Sequence, residues 1–263
     1  MVRITLQFLR DLYLSTDLDA FILFSREGER YFKLDPDFPR RLHSSGIRPT
    51  TAFLQSFLAD YSKRGLTDPT DRAVAISGLV DRISSALPSR SSYGVFDVFL
   101  HRTLLWKVAG QQKIEKIKYS SLNKQPPSWS WMAYKGGIQF LGNEYGELSL
   151  FKDLVLNGNA LDIVVWKFRD CHVEVSRTSP ERRILGTSAG EREERGWVIY
   201  DVEDGNDLSL ERAVIMAKRG GRGERCYMLV VKLQAGRSEY ERVGMGEIEE
   251  EWVWQRQTGA VLI

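Results

Sequence analysis

The sequence predicts an α+β fold, in which a small helical subdomain packs on a mainly antiparallel β-sheet or barrel. Two observations lead to this prediction. Over residues 50–106, apolar side chains recur at helical spacing. Over residues 107–263, short runs rich in Val, Ile and aromatic residues alternate with turn-forming residues, as in antiparallel strands. Residues 1–49 form an irregular lead-in with one hairpin.

The bulk composition is that of an ordinary globular protein. Of 263 residues, 43% are hydrophobic and 27% are charged. The 37 basic and 35 acidic residues leave a formal charge of +2, so no nucleic acid partner is expected. Two cysteines are too few for a secreted disulfide framework. No apolar run reaches the roughly 18 residues that span a bilayer, so we expect a cytoplasmic protein without membrane contact.

The lead-in contains one hairpin pattern. The segment DAFILFSREGERYFKLD, residues 19–35, places two apolar runs on either side of a charged turn at Gly28. Pro36 and Pro39 follow directly, and proline interrupts a strand ladder. We therefore predict two short antiparallel strands that end before Pro36.

The first predicted helix lies in PTTAFLQSFLADYSKRGLT, residues 49–67. Its aromatic and aliphatic residues recur every three or four positions, which predicts one buried face. Thr50 or Thr51 is predicted to cap the start of this helix. Gly65 is predicted to end it.

Two more helices are predicted after the first. The second has Thr67 or Asp68 as its cap and Pro69 in its first turn, and Gly78 within it is interpreted as a position of close packing. The third is predicted from about Tyr93 to Trp106. The predicted buried stripe of the second helix consists of Val74, Ile76, Leu79, Val80, Ile83 and Leu87.

The β-rich region contains a series of strand-like segments. The clearest turn signals between them are Asn157–Asn159 and Glu203–Asp207. Residues 178–196 are polar and are predicted to form a mobile loop. The predicted strands lie in GGIQFL, ELSLFKDLVL, ALDIVVWKF, CHVEVSR, GWVIYDV, RAVIMAK, CYMLVVKL and EWVWQ.

The segment QPPSWSWMAYKGGIQF, residues 125–140, contains two tryptophans two positions apart. In a strand, Trp129 and Trp131 would share one face, and the serines before them would share the other. Each tryptophan would bury about 200 Å² in a core. A core strand is therefore the favoured interpretation. An aromatic ligand platform and an interface patch are the alternatives.

No residue pattern in the sequence marks a catalytic site, a metal site or a cofactor site. The histidines and cysteines lack zinc-binding spacing, and no nucleophile motif is present. A non-enzymatic protein without a cofactor is therefore favoured. Asp71 beside Arg72 is the main polar pair. It is interpreted as a favourable charge at a helix N-terminus, as a network that reaches Arg242, or as part of a binding cleft. The candidate binding residues are Asp71, Arg72, Trp129, Trp131 and Arg242.

Four segments, in the same order along the chain, resemble fungal heterokaryon-incompatibility (HET) domain proteins. PPSWSWMAYKGGIQF resembles the family's Pro-Ser-Trp-Ser-Trp-Ala-Ser segment, and residues 58–83 resemble its Tyr-Ser-x-Arg-x-Leu-Thr stretch. Residues 93–106 resemble the family helix that ends in Leu-Leu-Trp, and residues 226–248 resemble its closing hairpin. The matching residues are Tyr61, Ser62, Arg64, Leu66, Thr67, Asp71, Arg72, Ala75, Gly78, Trp106, Pro127, Ser128, Trp129, Ser130, Trp131, Tyr240, Glu241, Arg242, Val243 and Gly244.

The sequence also departs from the family pattern. Met132-Ala133-Tyr134-Lys135 stands where the family more often has Ala-Ser followed by an acidic or amide residue. Nothing in the chain matches the Tyr-x-x-Leu-Ser-Tyr-x-Trp-Gly type motif of the HET region itself. The chain therefore resembles the segment C-terminal to the HET region.

The resemblance implies a regulatory or recognition segment that acts in fungal nonself recognition and programmed cell death. Its expected partner is a protein, including a HET region in cis or in trans. Two alternatives stay open: a small-ligand-binding or enzymatic domain with a cleft near Trp129 and Trp131, and a truncated remnant without independent function. A closed core around both tryptophans would favour the recognition segment or the remnant. A concave pocket with converging charged groups would favour ligand binding.

Overall fold

A computed structural model describes residues 21–24, 30–34, 42, 46–110, 114–120, 125–141, 148–150, 153–168, 171–176, 179, 182–187, 194–202, 212–219 and 224–263. These residues form a helical layer and a large, mainly antiparallel sheet, which confirms the α+β class. The α-helices are α1 (Ile47–Ser62), α2 (Arg72–Ala86) and α3 (Leu100–Thr103). Single 3₁₀ turns cover Pro69–Asp71, Asp97–Phe99, Trp131–Ala133 and Glu250–Trp252.

The strands are β1 (Phe21–Phe24), β2 (Arg30–Leu34), β3 (Ser91–Ser92), β4 (Val95–Phe96), β5 (Trp106–Val108), β6 (Glu115–Lys116), β7 (Tyr134–Lys135), β8 (Ile138–Phe140), β9 (Leu148–Leu150), β10 (Val155–Asn157), β11 (Ala160–Phe168), β12 (Cys171–Val175), β13 (Arg183–Thr187), β14 (Gly196–Tyr200), β15 (Arg212–Arg219), β16 (Arg225–Leu233), β17 (Glu239–Glu249) and β18 (Val253–Leu262). Strands β1 and β2 pair antiparallel, so the predicted hairpin of the lead-in is confirmed.

Helix α1 begins earlier than the sequence indicated. Gly46 is its N-cap residue, and no side chain caps it. Thr50 and Thr51 are buried inside the helix, and the Thr50 hydroxyl donates a hydrogen bond to the carbonyl of Leu42 (2.7 Å). The predicted threonine caps are therefore wrong, because these hydroxyls bind backbone carbonyls instead of free N–H groups. Helix α1 ends at Ser62, shortly before Gly65.

Helix α2 begins with the predicted signal. The Asp68 carboxylate accepts a hydrogen bond from the backbone N–H of Thr70 (2.9 Å) and caps the 3₁₀ turn that leads into α2, with Pro69 at its first position. Four of the predicted stripe residues are buried. Val74 is 64% exposed, so the prediction that this residue is buried is wrong. Residues two apart on a helix point in different directions, so Val74 and Ile76 cannot share the buried face. The four buried residues are Ile76, Val80, Ile83 and Leu87.

The predicted third helix, from Tyr93 to Trp106, is too long, because only residues 97–103 are helical. Tyr93 and Gly94 both have positive φ angles (44° and 76°) and form the turn between β3 and β4. The 3₁₀ turn Asp97–Phe99 and the single turn α3 follow before Trp106 enters β5. A left-handed backbone cannot continue a right-handed helix. The apolar residues of this segment therefore reach the core from turns and short strands.

The large sheet closes partly on itself. Its strand order is β10-β11-β15-β16-β17-β14-β13-β12, and β18 pairs with both β11 and β17. Strands β11, β15, β16, β17 and β18 thus form a closed ring, in which the β17–β18 pairing is parallel. The predicted sheet or barrel is confirmed. Closure also satisfies backbone groups that open sheet edges would expose.

Two turn predictions and the loop prediction have different outcomes. Gly158, with φ 61°, makes the tight turn between β10 and β11, as predicted. Glu203–Asp207 lies outside the described residues. The predicted mobile loop 178–196 contains strand β13, which pairs with β12 and β14, so this prediction is wrong. The sequence RILGT has two β-branched residues, Ile184 and Thr187, but the charged residues around it obscure the strand pattern.

Two glycines give opposite predictions for stability. Gly78 is exposed in α2, and a Cβ there would meet nothing within 4 Å, so the close-packing interpretation is wrong. A Cβ on Gly244 would lie 2.5 Å from the carbonyl oxygen of Ile199 on β14. Gly78→Ala is expected to raise the free energy of unfolding by about 0.5–1 kcal/mol. Gly244→Ala is expected to lower it, as measured by urea denaturation. Shifts of the same sign would contradict these two environments.

Candidate functional site

The tryptophan segment is a compact turn and not the expected strand. The N–H of Ser130 bonds to the carbonyl of Pro127 (3.0 Å), and the 3₁₀ turn Trp131–Ala133 follows at once. The Ser130 hydroxyl caps this turn by accepting a hydrogen bond from the N–H of Met132 (3.1 Å). It also donates to the carbonyl of Tyr93 (2.8 Å). Serine competes with strand pairing through such local hydrogen bonds, which the period-two pattern does not reveal.

Trp129 and Trp131 point into two different cores. Trp129 packs with leucines of the α3 region and with inward-facing residues of the sheet. Trp131 packs against α1 and α2, and the Tyr61 ring meets it edge to face at 5.9 Å between ring centroids. Both tryptophans are 0% exposed. The core interpretation is therefore confirmed, while the expectation that they share one face of a strand is wrong. Neither ring presents a surface platform to solvent.

The side chains of Trp106 and Tyr134 donate hydrogen bonds to backbone carbonyls of this turn. The Trp106 Nε1 donates a hydrogen bond to the carbonyl of Trp129 (3.0 Å). The Tyr134 hydroxyl donates to the carbonyl of Ser128 (3.2 Å). The two rings pack at 5.4 Å between centroids. Because a tightly turned segment leaves backbone carbonyls without ladder partners, buried aromatic donors are needed to satisfy them.

Arg242, on β17, is buried at the centre of the site. Its Nε and Nη2 atoms bind the two carboxylate oxygens of Asp201 at 2.8 and 3.0 Å. Its Nη1 and Nη2 atoms also donate to the carbonyls of Leu104 and Trp106, both at 2.6 Å. The guanidinium carbon lies 3.5 Å from the centroid of the Trp106 ring. The bidentate pair and the cation–π contact together fix the orientation of this side chain.

The Arg242 guanidinium compensates the charge of the buried Asp201 carboxylate. Burial raises the pKa of the Asp201 carboxyl, and the adjacent Arg242 guanidinium opposes that rise. Both side chains are almost completely removed from solvent. The buried Asp201 carboxylate therefore depends on the guanidinium of Arg242 for charge compensation. A carboxylate held in this way acts as a structural anchor.

Ser128 joins the turn to the barrel. Its hydroxyl oxygen accepts a hydrogen bond from the backbone N–H of Arg242 (2.9 Å), and its own N–H donates to the carbonyl oxygen of Ile263 (3.1 Å). The Ser128 hydroxyl also donates to that same oxygen. Ile263 in turn donates its N–H to the carbonyl of Tyr240 on β17 (3.0 Å). Hydrogen bonds thus join Ser128 to the barrel at two places, at Arg242 on β17 and at Ile263, the residue after β18.

Arg72 attaches the helical layer to the same turn. Its guanidinium donates hydrogen bonds to the carbonyls of Tyr134 (2.7 Å) and Ser62 (2.9 Å), and its carbon lies 5.7 Å from the Trp131 ring centroid. The Tyr61 hydroxyl donates to the carbonyl of Arg72 (3.0 Å), and burial raises the pKa of Tyr61 to about 12. Burial also lowers the pKa of Arg72. One buried cation thus holds α1, α2 and the tryptophan turn together.

The residues predicted as a site are only partly brought together. Arg72, Arg242 and the two tryptophans surround the turn, and we call this set, together with Ser128 and Asp201, the arginine–tryptophan hub. Asp71 is half-buried before α2, and the acid that pairs with Arg242 is Asp201. Of the remaining matched residues, Tyr240 is buried, while Arg64, Thr67 and Gly78 are exposed and Leu66 and Pro127 are half-buried.

Sequence reasoning missed Asp201. The signal that could have found it is an acidic residue directly after the apolar strand GWVIY, because a charge in that position must be solvated or paired. Its partner Arg242 lies 41 residues further on, and only the sheet brings the two together. The pairing of β14 with β17 creates this contact.

Neither a metal cluster nor a membrane-spanning helix is found in the described part of the chain. Within those residues, no three His, Cys, Asp or Glu side chains gather as they would around an ion. His43 lies outside the described residues. None of the described helices combines the length and the apolar character needed to cross a membrane.

The two cysteines give a chemical prediction. Cys226 is 1% exposed, and burial raises its thiol pKa to about 11. Cys171 is half-buried. Because the thiolate is the reactive form, Cys226 is expected to resist iodoacetamide at neutral pH until the protein unfolds, and Cys171 is expected to react first. Mass spectrometry of native and urea-unfolded protein checks this order. Rapid labelling of Cys226 in the native protein would contradict its burial.

Comparison with known proteins identifies no family for this chain. A scan of protein-family models, a search of curated proteins and a search of solved structures each found no match.

Proposed function

We propose that this chain is a non-catalytic regulatory or recognition segment of the HET type. It acts in the cytoplasm, in fungal nonself recognition and programmed cell death, by contact with a protein partner. The expected partner is a HET region, in cis or in trans. The observation that carries the proposal is the arginine–tryptophan hub, because five of the residues that carry the resemblance meet there: Arg72, Ser128, Trp129, Trp131 and Arg242.

The contacts of the hub support a scaffold role for these residues. The side chains of Arg72 and Arg242 donate to backbone carbonyls and to Asp201. Trp129 and Trp131 lie in closed cores. Groups engaged in this way hold the helical layer on the sheet. Recognition is therefore assigned to the outer surface of that scaffold.

The helical layer offers apolar side chains for such contact. Ile47, at the start of α1, is 68% exposed, and Val98, after β4, is 54% exposed. Exposed aliphatic side chains contribute to a protein interface when a partner covers them. We propose that a HET region contacts the helical layer at these two exposed side chains.

The test is isothermal titration of the full chain with a purified HET region. Saturable binding is expected, and Ile47→Asp and Val98→Asp are each expected to weaken it by about tenfold. Val175→Asp on β12 is the matched control, because Val175 is 61% exposed on the sheet. Absence of binding, or equal weakening by all three variants, would contradict the proposal.

A second candidate function is small-molecule binding. A groove lined in part by Gly94, which lies against the Trp131 ring, supports it, and neither arginine of the hub lines this groove.

A further inference from the structure

A groove of about 310 Å³ runs along the outer side of α2. Val74, Ile76 and Val80 form its helical wall, and Tyr93, Gly94 and Met132 form the opposite wall. Small-molecule sites in proteins begin at about 300 Å³ and have mostly apolar linings with a few polar groups. The groove therefore has room for one small ring system.

The indole ring of Trp131 places a buried polar atom close to this groove. Trp131 is 0% exposed, and its Nε1 has no hydrogen-bond partner among the residues that the structure describes. A Cβ placed on Gly94 would lie 3.1 Å from both Nε1 and Cζ2 of this ring. The N–H edge of the indole thus faces Gly94, which lines the groove. A buried donor without an acceptor costs free energy, so it points to an acceptor supplied by a ligand.

Among the residues that the structure describes, Gly94 and the flexible side chain of Met132 separate the Trp131 indole from the groove. Gly94 has no side chain. The methyl group of Met132 lies 2.8 Å from the position that a Cβ on Gly94 would occupy. The unbranched thioether of methionine adapts its shape at low cost and packs well against aromatic rings. A ligand atom can therefore reach the indole N–H if the Met132 methyl moves aside.

The charges near the groove favour a neutral ligand. Asp81 also lines it and disfavours a carboxylate or phosphate there. The nearest buried cation, Arg72, already donates its hydrogen bonds to the carbonyls of Ser62 and Tyr134. The acceptor that fits best is thus an uncharged carbonyl oxygen. The phenol of Tyr93 and the thioether of Met132 suit a flat aromatic body.

We propose that this groove binds a small, flat, neutral aromatic molecule, whose carbonyl oxygen accepts a hydrogen bond from the Nε1 of Trp131. This inference does not depend on the proposed HET-type function. It assigns to ligand recognition the groove wall formed by Gly94 and Met132, which lies against Trp131 of the hub.

The test is titration of the full chain with 2-naphthamide, followed through the indole N–H signals of the ¹⁵N-labelled protein. A saturable downfield shift of the Trp131 signal is expected. Trp131→Phe, which keeps an aromatic ring but lacks the N–H, assigns that signal and is expected to weaken 2-naphthamide binding by about tenfold. Binding of 2-methylnaphthalene, which has no acceptor, is expected to be weaker and insensitive to Trp131→Phe.

Two exposed valines provide matched variants that do not disturb the core. Val74→Arg places a long side chain in the groove and is expected to abolish the shift of the Trp131 signal. Val175→Arg makes the same change at a comparably exposed position on β12, outside the groove lining, and is expected to leave binding intact. An unshifted Trp131 signal, or equal affinities for 2-naphthamide and 2-methylnaphthalene, would overturn the proposal. Equal effects of the two arginine variants would overturn it as well.

Discussion

Replacing Arg242 by methionine is expected to lower the free energy of unfolding by about 3–5 kcal/mol. The change leaves the Asp201 carboxylate buried without its cation and removes the donors that satisfy the carbonyls of Leu104 and Trp106. It also removes the guanidinium that stacks on the Trp106 ring. Urea denaturation of the variant and of the unchanged protein measures the difference.

The loss caused by Arg242→Met is expected to depend on pH. Without the guanidinium, only burial acts on Asp201, and burial raises the pKa of its carboxyl. A carboxyl whose pKa is raised on folding destabilises the folded state as pH rises above its unfolded value, which is about 3.9. The variant should therefore be closest to the unchanged protein near pH 4 and furthest from it near pH 7.

Two further variants separate this explanation from general disruption. Arg242→Met combined with Asp201→Asn removes the uncompensated charge and is expected to recover part of the lost stability at pH 7. Arg237→Met removes an arginine whose ion pair with Glu239 is largely exposed, and it is expected to change stability little. If Arg242→Met resembled Arg237→Met, the buried pair would not anchor the fold.

Replacing Trp129 by alanine is expected to lower the free energy of unfolding by about 3–5 kcal/mol. The ring is fully buried between the sheet and the leucines of the α3 region, so its removal leaves a cavity in the larger core. The carbonyl of Trp129 also accepts the hydrogen bond from Trp106, and a cavity beside it loosens that contact. Denaturant titration measures the loss.

Trp254→Ala is the matched control for this prediction. Trp254 lies on β18 and is 59% exposed, so the same substitution removes little buried surface. We expect its effect to be a small fraction of that of Trp129→Ala. Comparable losses for the two variants would show that Trp129 is not a core residue of the sheet.

The β-rich region was the most predictable part of the fold. Segments such as ALDIVVWKF and CYMLVVKL combine β-branched residues with clear turn signals, and they correspond to β11 and β16. Such patterns depend on local chemistry alone, so a single sequence reveals them. The closure of the ring through β18 could not be foreseen, because it depends on pairings between residues about a hundred positions apart.

The helical subdomain and the hub were less predictable. Residues 93–106 have apolar residues at helical spacing, but the left-handed turn at Tyr93 and Gly94 overrides that pattern. The Trp-Ser-Trp segment alternates as a strand would, yet the Ser130 hydroxyl caps a 3₁₀ turn and sends the two rings into different cores. The pairing of Arg242 with Asp201 is a tertiary contact with no local signature.

The arginine–tryptophan hub is expected to make the helical layer and the sheet one cooperative unit. Denaturant unfolding of the full chain, followed in parallel by far-ultraviolet circular dichroism and by tryptophan fluorescence, tests it most directly. Coincident, single transitions with the same midpoint are expected, starting from a native state with buried tryptophan emission. Two separated transitions, or a broad one from material that binds hydrophobic dyes, would contradict the claim.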